Sequence, residues 1–172
     1  MNDATRTIEE LRDLPRSASG LWARRLFLLV IAVCAIAALV NVFGQRQTVS
    51  RDRHAAASLT VSSPPRVRGG LLYQARARIR AHRAIKQPTL VFDQGWFEQT
   101  SVNSIEPQPS MEESKNGRVS LQYDPVAAGE TLNVWVYFQA NPTNVGRHHT
   151  DVVLEDGDTP LAAVRRTQLN LP

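Results

Sequence analysis

Residues 132–140 read LNVWVYFQA, with Leu132, Val134, Val136, Phe138 and Ala140 alternating with Asn133, Trp135, Tyr137 and Gln139. Alternation of period two places the aliphatic set on one face of an extended strand and the aromatic and polar set on the other. A helix would need apolar residues three and four apart, so the stretch reads as a strand with one buried face. The same pattern appears upstream, where Tyr73, Ala75, Ala77, Ile79 and Ala81 alternate with Gln74, Arg76, Arg78, Arg80 and His82.

Shorter strands are expected on either side of these two. Leu59 and Val61 mark one, ended by Pro64-Pro65, and residues 89–92 follow Pro88 as another. Residues 118–123 come after an Asn116-Gly117 turn signal, and residues 151–154 and 161–171 flank the hairpin signal Asp156-Gly157-Asp158. Among these residues no long amphipathic helix interrupts the series. The expected fold is therefore mainly β: an antiparallel, immunoglobulin-like β-sandwich of about seven strands, preceded by one helix.

That helix is a separate element. Residues 26–45 carry no charge, and residues 26–40 are unbroken apolar. Twenty residues at about 1.5 Å each span roughly 30 Å, the thickness of a bilayer's hydrocarbon core. Trp22, Arg24 and Arg25 precede the run as an interfacial aromatic beside positive charge. The expected organisation is a cytoplasmic tail over 1–25, a transmembrane helix over 26–44, a linker over 45–57 and an extracytoplasmic β-sandwich domain over 58–172. Five arginines precede the run and three follow it closely, which favours a cytoplasmic N-terminus. Cleavage as a signal peptide fits less well, because Ala35-Ile36-Ala37 would cut the apolar run in half and His54-Ala55-Ala56-Ala57 lies well past its end. A membrane-embedded signal-anchor is the expectation. Cys34, Ala37, Ala38 and Asn41 share one stripe of the helix and are the candidate contact with a partner helix. The alternative is that alanine is simply common here and Asn41 sits among headgroups.

Charge is divided unevenly. The net charge is +4, yet residues 46–86 hold ten basic residues against Asp52 alone, while residues 87–172 hold five bases against eleven acids. Halves of opposite sign can satisfy each other within a fold, so the basic balance does not by itself indicate nucleic acid, and no nucleic-acid partner is expected. The lone cysteine lies in the apolar run, so the domain is held by its core and not by disulfides.

Asp124-Pro125-Val126-Ala127-Ala128-Gly129-Glu130-Thr131, leading into the alternating strand, resembles the turn of bacterial immunoglobulin-like surface domains of the CARDB type. Residues 91–109 (VFDQGWFEQTSVNSIEPQP) and 138–146 (FQANPTNVG) are similar to stretches in membrane-anchored proteins of high-GC Gram-positive bacteria. The resemblance covers roughly residues 58–172. It implies a fold and a cell-surface setting and no activity, since this scaffold serves many functions.

Chemistry-bearing motifs are scarce. His148 and His149 are neighbours on a strand and point to opposite faces, so they do not share a metal. Asp151, Glu155, Asp156 and Asp158 surround a turn, as calcium ligands or as a solubilising tip. No enzyme activity and no cofactor are expected. Two surfaces are candidates for binding. Arg76, Arg78 and Arg80 line one strand face, to meet anionic lipid or wall polymer, or to pair across strands with the acidic second half. Trp96, Phe97, Trp135 and Tyr137 are the candidate contact with a protein partner, unless Trp96 and Phe97 only cover the other two. The expected function is a non-catalytic, membrane-anchored interaction or accessory protein that presents its β-sandwich to an envelope or membrane protein. The alternative is an envelope ligand binder that uses the arginine face.

Overall fold

The computed structural model describes residues 18–39 and 45–172, which fall in two compact units divided after Gly44. The first unit contains a single described helix, α1, over Ala18–Leu39. It is apolar around its circumference and exposes Phe27, Leu28, Leu29 and Ile36. By length and composition α1 can cross a membrane, criteria that a signal sequence also meets. The helix begins earlier than the uncharged run, at Ala18, and takes in Trp22, Arg24 and Arg25. There the Arg25 guanidinium lies 5.7 Å from the indole centroid. Asn41 lies outside the described residues.

The second unit is mainly β. Its thirteen strands are β1 Thr48–Arg53, β2 Ala57–Ser63, β3 Arg66–Arg68, β4 Leu72–Ala81, β5 Pro88–Phe92, β6 Thr100–Glu106, β7 Met111–Lys115, β8 Arg118–Gln122, β9 Thr131–Ala140, β10 Gly146–His149, β11 Val152–Asp156, β12 Thr159–Val164 and β13 Thr167–Leu171. One five-stranded sheet runs β1-β2-β4-β9-β6 and a second runs β12-β11-β5-β8-β7, both antiparallel throughout. A three-stranded sheet, β10-β13-β3, contains the one parallel pair among the described strands, β13 with β3.

The two alternating stretches that anticipate a sandwich are the centre of the first sheet. β4 and β9 pair over their length, Leu72 opposite Gln139 through Arg80 opposite Thr131. Their inward residues Ala75, Ala77, Ile79, Val134, Val136 and Phe138 meet Leu90, Phe92, Leu121, Val152 and Leu154 of the second sheet in one core. Small alanines on β4 leave room for aromatics at one end of that core. Trp96 stacks on Phe138 at 5.5 Å, Tyr73 stacks on the other side at 5.2 Å, and Phe92 meets Trp96 edge-on at 5.8 Å.

More strands form than the seven or so expected: the stretch 161–171 divides into β12 and β13, which lie in different sheets, and β1, β3, β6, β7 and β10 are added at sheet edges. β6 and β7 are sheet edges whose residues are nearly all exposed, so they carry no apolar alternation. β1 occupies the stretch expected as a linker. Its sequence TVSRDR is polar, and it is held by pairing with β2 from Thr48 opposite Ser63 to Arg53 opposite Ser58. Side-chain bonds add to that pairing. The Asp52 carboxylate accepts from the Ala163 amide at 2.9 Å, and the Arg166 guanidinium donates to the Thr48 and Val61 carbonyls and to Ser50 Oγ.

Turns fall where their residues demand. Lys115 pairs with Arg118 across a two-residue loop in which Asn116 and Gly117 have φ of 53° and 77°, the hairpin conformation that Asn-Gly favours. Gly95 has a different reason for being glycine: a β-carbon there would overlap the His149 carbonyl oxygen of β10. That close approach seats the short helical turn Gln94–Trp96 against β10. It also lets Trp96 Nε1 donate to the Asp151 carbonyl at 3.1 Å while the ring enters the core.

Candidate contact face on the outer side of the first sheet

The outward residues of β1, β2, β4, β9 and β6 form rows across the sheet, fixed by register. One row is Val49, Ser62, Arg76, Trp135 and Glu106. The next is Arg51, Thr60, Arg78 and Asn133, followed by Arg53, Ser58, Arg80 and Thr131. In the opposite direction Gln74, Tyr137 and Ser104 line up, beside exposed Leu72. Arg76, Arg78, Arg80, Trp135 and Tyr137 therefore occupy one continuous face.

Their junction is the contact of Arg76 with Trp135. The guanidinium carbon lies 5.4 Å from the indole centroid, and Nη2 donates to Asn133 Oδ1 at 2.8 Å. Cation–π attraction and a hydrogen bond hold Arg76 half-buried against the sheet, so it orders the face more than it reaches from it. Arg78 and Arg80 are exposed, as are Arg51 and Arg53 across β2. These four line a shallow groove of about 290 Å³ whose remaining lining is Ser58 and Thr60.

The expected alternative for the arginines, pairing with the acidic half across strands, does not occur. Their neighbours in register are serine, threonine, asparagine and, for Arg76, Trp135. Among the described residues Arg118 pairs with Asp93, and His148 Nδ1 lies 3.4 Å from a Glu98 carboxylate oxygen, both away from the groove. The acids serve other ends. Asp156 Oδ1 accepts from the Lys86 and Gln87 amides, Asp151 Oδ1 from the Arg166 amide, and Glu130 Oε2 from the Ala127 amide. Two of the four acids considered as calcium ligands thus cap backbone, and no cluster of three or more metal-ligating side chains occurs among the described residues.

At the other end of the face, Leu72, Tyr73, Gln74, Asn103, Ser104 and Tyr137 line an apolar cleft of about 410 Å³. Tyr137 is exposed and Trp135 half-buried. The expectation for Trp96 and Phe97 needs correcting. Trp96 is fully buried in the main core, and Phe97 packs edge-on against Phe92 and Phe138. Neither covers Trp135 or Tyr137, and Trp96 is unavailable to a partner. On α1, Cys34 and Ala38 are exposed and Ala37 partly so.

Arg51, Arg53, Ser58, Thr60 and Asn133 are the members of this face that sequence reading passes over. The alternation of Arg51 and Arg53 about Asp52 is the one signal that could have found the first two. Searches of known protein families and curated proteins give no match to this chain.

Proposed function

We propose that the chain is a non-catalytic, single-pass membrane-anchored interaction protein. In this reading α1 lies in the cell membrane with the N-terminus cytoplasmic, and the β-sandwich stands on the extracytoplasmic side. Its contact surface is the outer face of the β1-β2-β4-β9-β6 sheet, and its partner is an anionic component of the envelope. The observation that carries the reading is the set of four exposed arginines on that face with no acidic neighbour in register. Exposed guanidinium groups gathered on one face repel one another. A bound anion relieves that repulsion. The resemblance of residues 58–172 to bacterial surface domains supports the setting.

A second reading keeps a protein partner, because the apolar cleft by Tyr137 and Leu72 lies on the same face. The two are separated by capture of envelope material on the full chain in non-ionic detergent at low and high salt. Capture that is lost at high salt supports the anionic partner. Salt-insensitive recovery of one protein, abolished by Trp135→Ala, would replace it with the protein partner.

A further inference from the structure

The groove has a more definite chemistry than a basic patch. Ser58 and Thr60 lie two residues apart on β2, each flanked in register by one arginine of β1 and one of β4. Strands about 4.8 Å apart and residues about 3.4 Å apart along a strand place the four arginine α-carbons on a rectangle of roughly 10 by 7 Å. The two hydroxyls lie on its midline. Long arginine side chains rooted at such corners can turn their forked donors inward over a group of phosphate size. Each hydroxyl adds a donor from the floor.

Resting on the reading above, we propose that Arg51, Arg53, Arg78 and Arg80, with Ser58 and Thr60 between them, form an oxyanion site for a phosphate-bearing ligand. Several features favour phosphate over carboxylate. Four guanidinium groups call for more than one negative charge, which a lone carboxylate or a single phosphodiester does not carry and a run of phosphates does. The Arg51–Arg78 and Arg53–Arg80 rows repeat along the strands, so two successive phosphates of one chain, or two anionic headgroups side by side, each meet a pair. No acid lines the groove to repel them. Asp52, the acid nearest in sequence, bonds the Ala163 amide instead. Arg76, already engaged by Asn133 and Trp135, borders the site without belonging to it.

The ligand's source is either an anionic lipid headgroup or a phosphate-containing polymer, and two probes distinguish them. The full chain in non-ionic detergent is titrated with short-chain dihexanoyl phosphatidylglycerol and, separately, with inorganic polyphosphate, following Trp fluorescence and heat. The expected result is saturable binding of at least one probe, weakened about tenfold or more by Arg51→Gln/Arg78→Gln. Arg66→Gln/Arg68→Gln removes the same charge from exposed positions on β3 and is expected to leave the affinity within about threefold. Binding of the lipid alone assigns a headgroup site, and binding of polyphosphate alone assigns a polymer site. Equal losses in the two double variants would overturn the site in favour of diffuse charge. A chain that still captures envelope material in a salt-dependent way, yet binds neither probe, would overturn the site and leave the function reading standing. A chain that does neither overturns both.

Discussion

Arg166 is the residue that most changes how the domain is understood. It is a buried arginine whose guanidinium has no carboxylate partner among the described residues and donates instead to carbonyls and hydroxyls of β1 and β2. Burial lowers its pKa from the usual arginine value. Those bonds join the β12–β13 corner to the first strand of the sandwich. Arg166→Met keeps much of the volume and removes the guanidinium donors from the Val61 and Ser63 carbonyls, the latter still accepting from Thr48 Oγ1. It is expected to cost about 2–4 kcal/mol in urea unfolding and to speed amide exchange in β1 first.

Tyr123 is a contrasting case. Its ring is buried, and its hydroxyl makes no bond to a protein group. Burial, with Glu112 adding to it, raises its pKa well above that of a free tyrosine. The unfolded chain loses this proton near about pH 10 while the folded chain keeps it, so stability falls as pH rises above about 10. Below that, both states hold the proton and the group adds no pH dependence. Tyr123→Phe is therefore expected to change neutral-pH stability by less than about 0.5 kcal/mol and to make the alkaline decline shallower. Urea midpoints measured between neutral and alkaline pH check both.

At the scale of elements, close backbone approach decides one region that composition leaves open. Gly95→Ala would drive a β-carbon into the His149 carbonyl and push the Gln94–Trp96 turn from β10. Overpacking of this kind costs about 1–3 kcal/mol, and the upper end is expected because Trp96 leaves the core with the turn. Thermal unfolding of the variant, read with Trp fluorescence, tests it. Elements with a buried face were legible in the sequence: β2, β4, β5, β8, β9, β11 and β12 all announce themselves by alternation or turn signals. Edge strands β1, β6 and β7 were not, since their order comes from partners far along the chain. The candidate face was half legible for the same reason. Arg76, Arg78 and Arg80 are local, but their union with Arg51, Arg53 and Trp135 depends on β1-β2-β4-β9 register. Trp96 and Phe97 misled because a loop position gives no period, and only the Gly95 contact shows the turn folding inward.

On the scale of the whole molecule, the opposite-sign halves of the sequence do not cancel. The acids of the second half cap turns and bond amides, while four of the first half's arginines gather on one sheet face with no counter-charge. Segregation of this kind focuses potential on a single surface and draws anions to it. Under the proposed function this uncompensated face is the contact surface, defined by charge, with the Tyr137–Leu72 cleft at its far end. The proposed function requires that this face, and no other, meets the envelope. Arginine-specific modification by phenylglyoxal, read by peptide mass spectrometry on the full chain with and without native envelope material, tests it most directly. Protection of Arg51, Arg53, Arg78 and Arg80 is expected, with exposed Arg66, Arg68, Arg118, Arg147 and Arg165 labelled as before. Uniform protection of all exposed arginines, or protection confined to the second group, would contradict it.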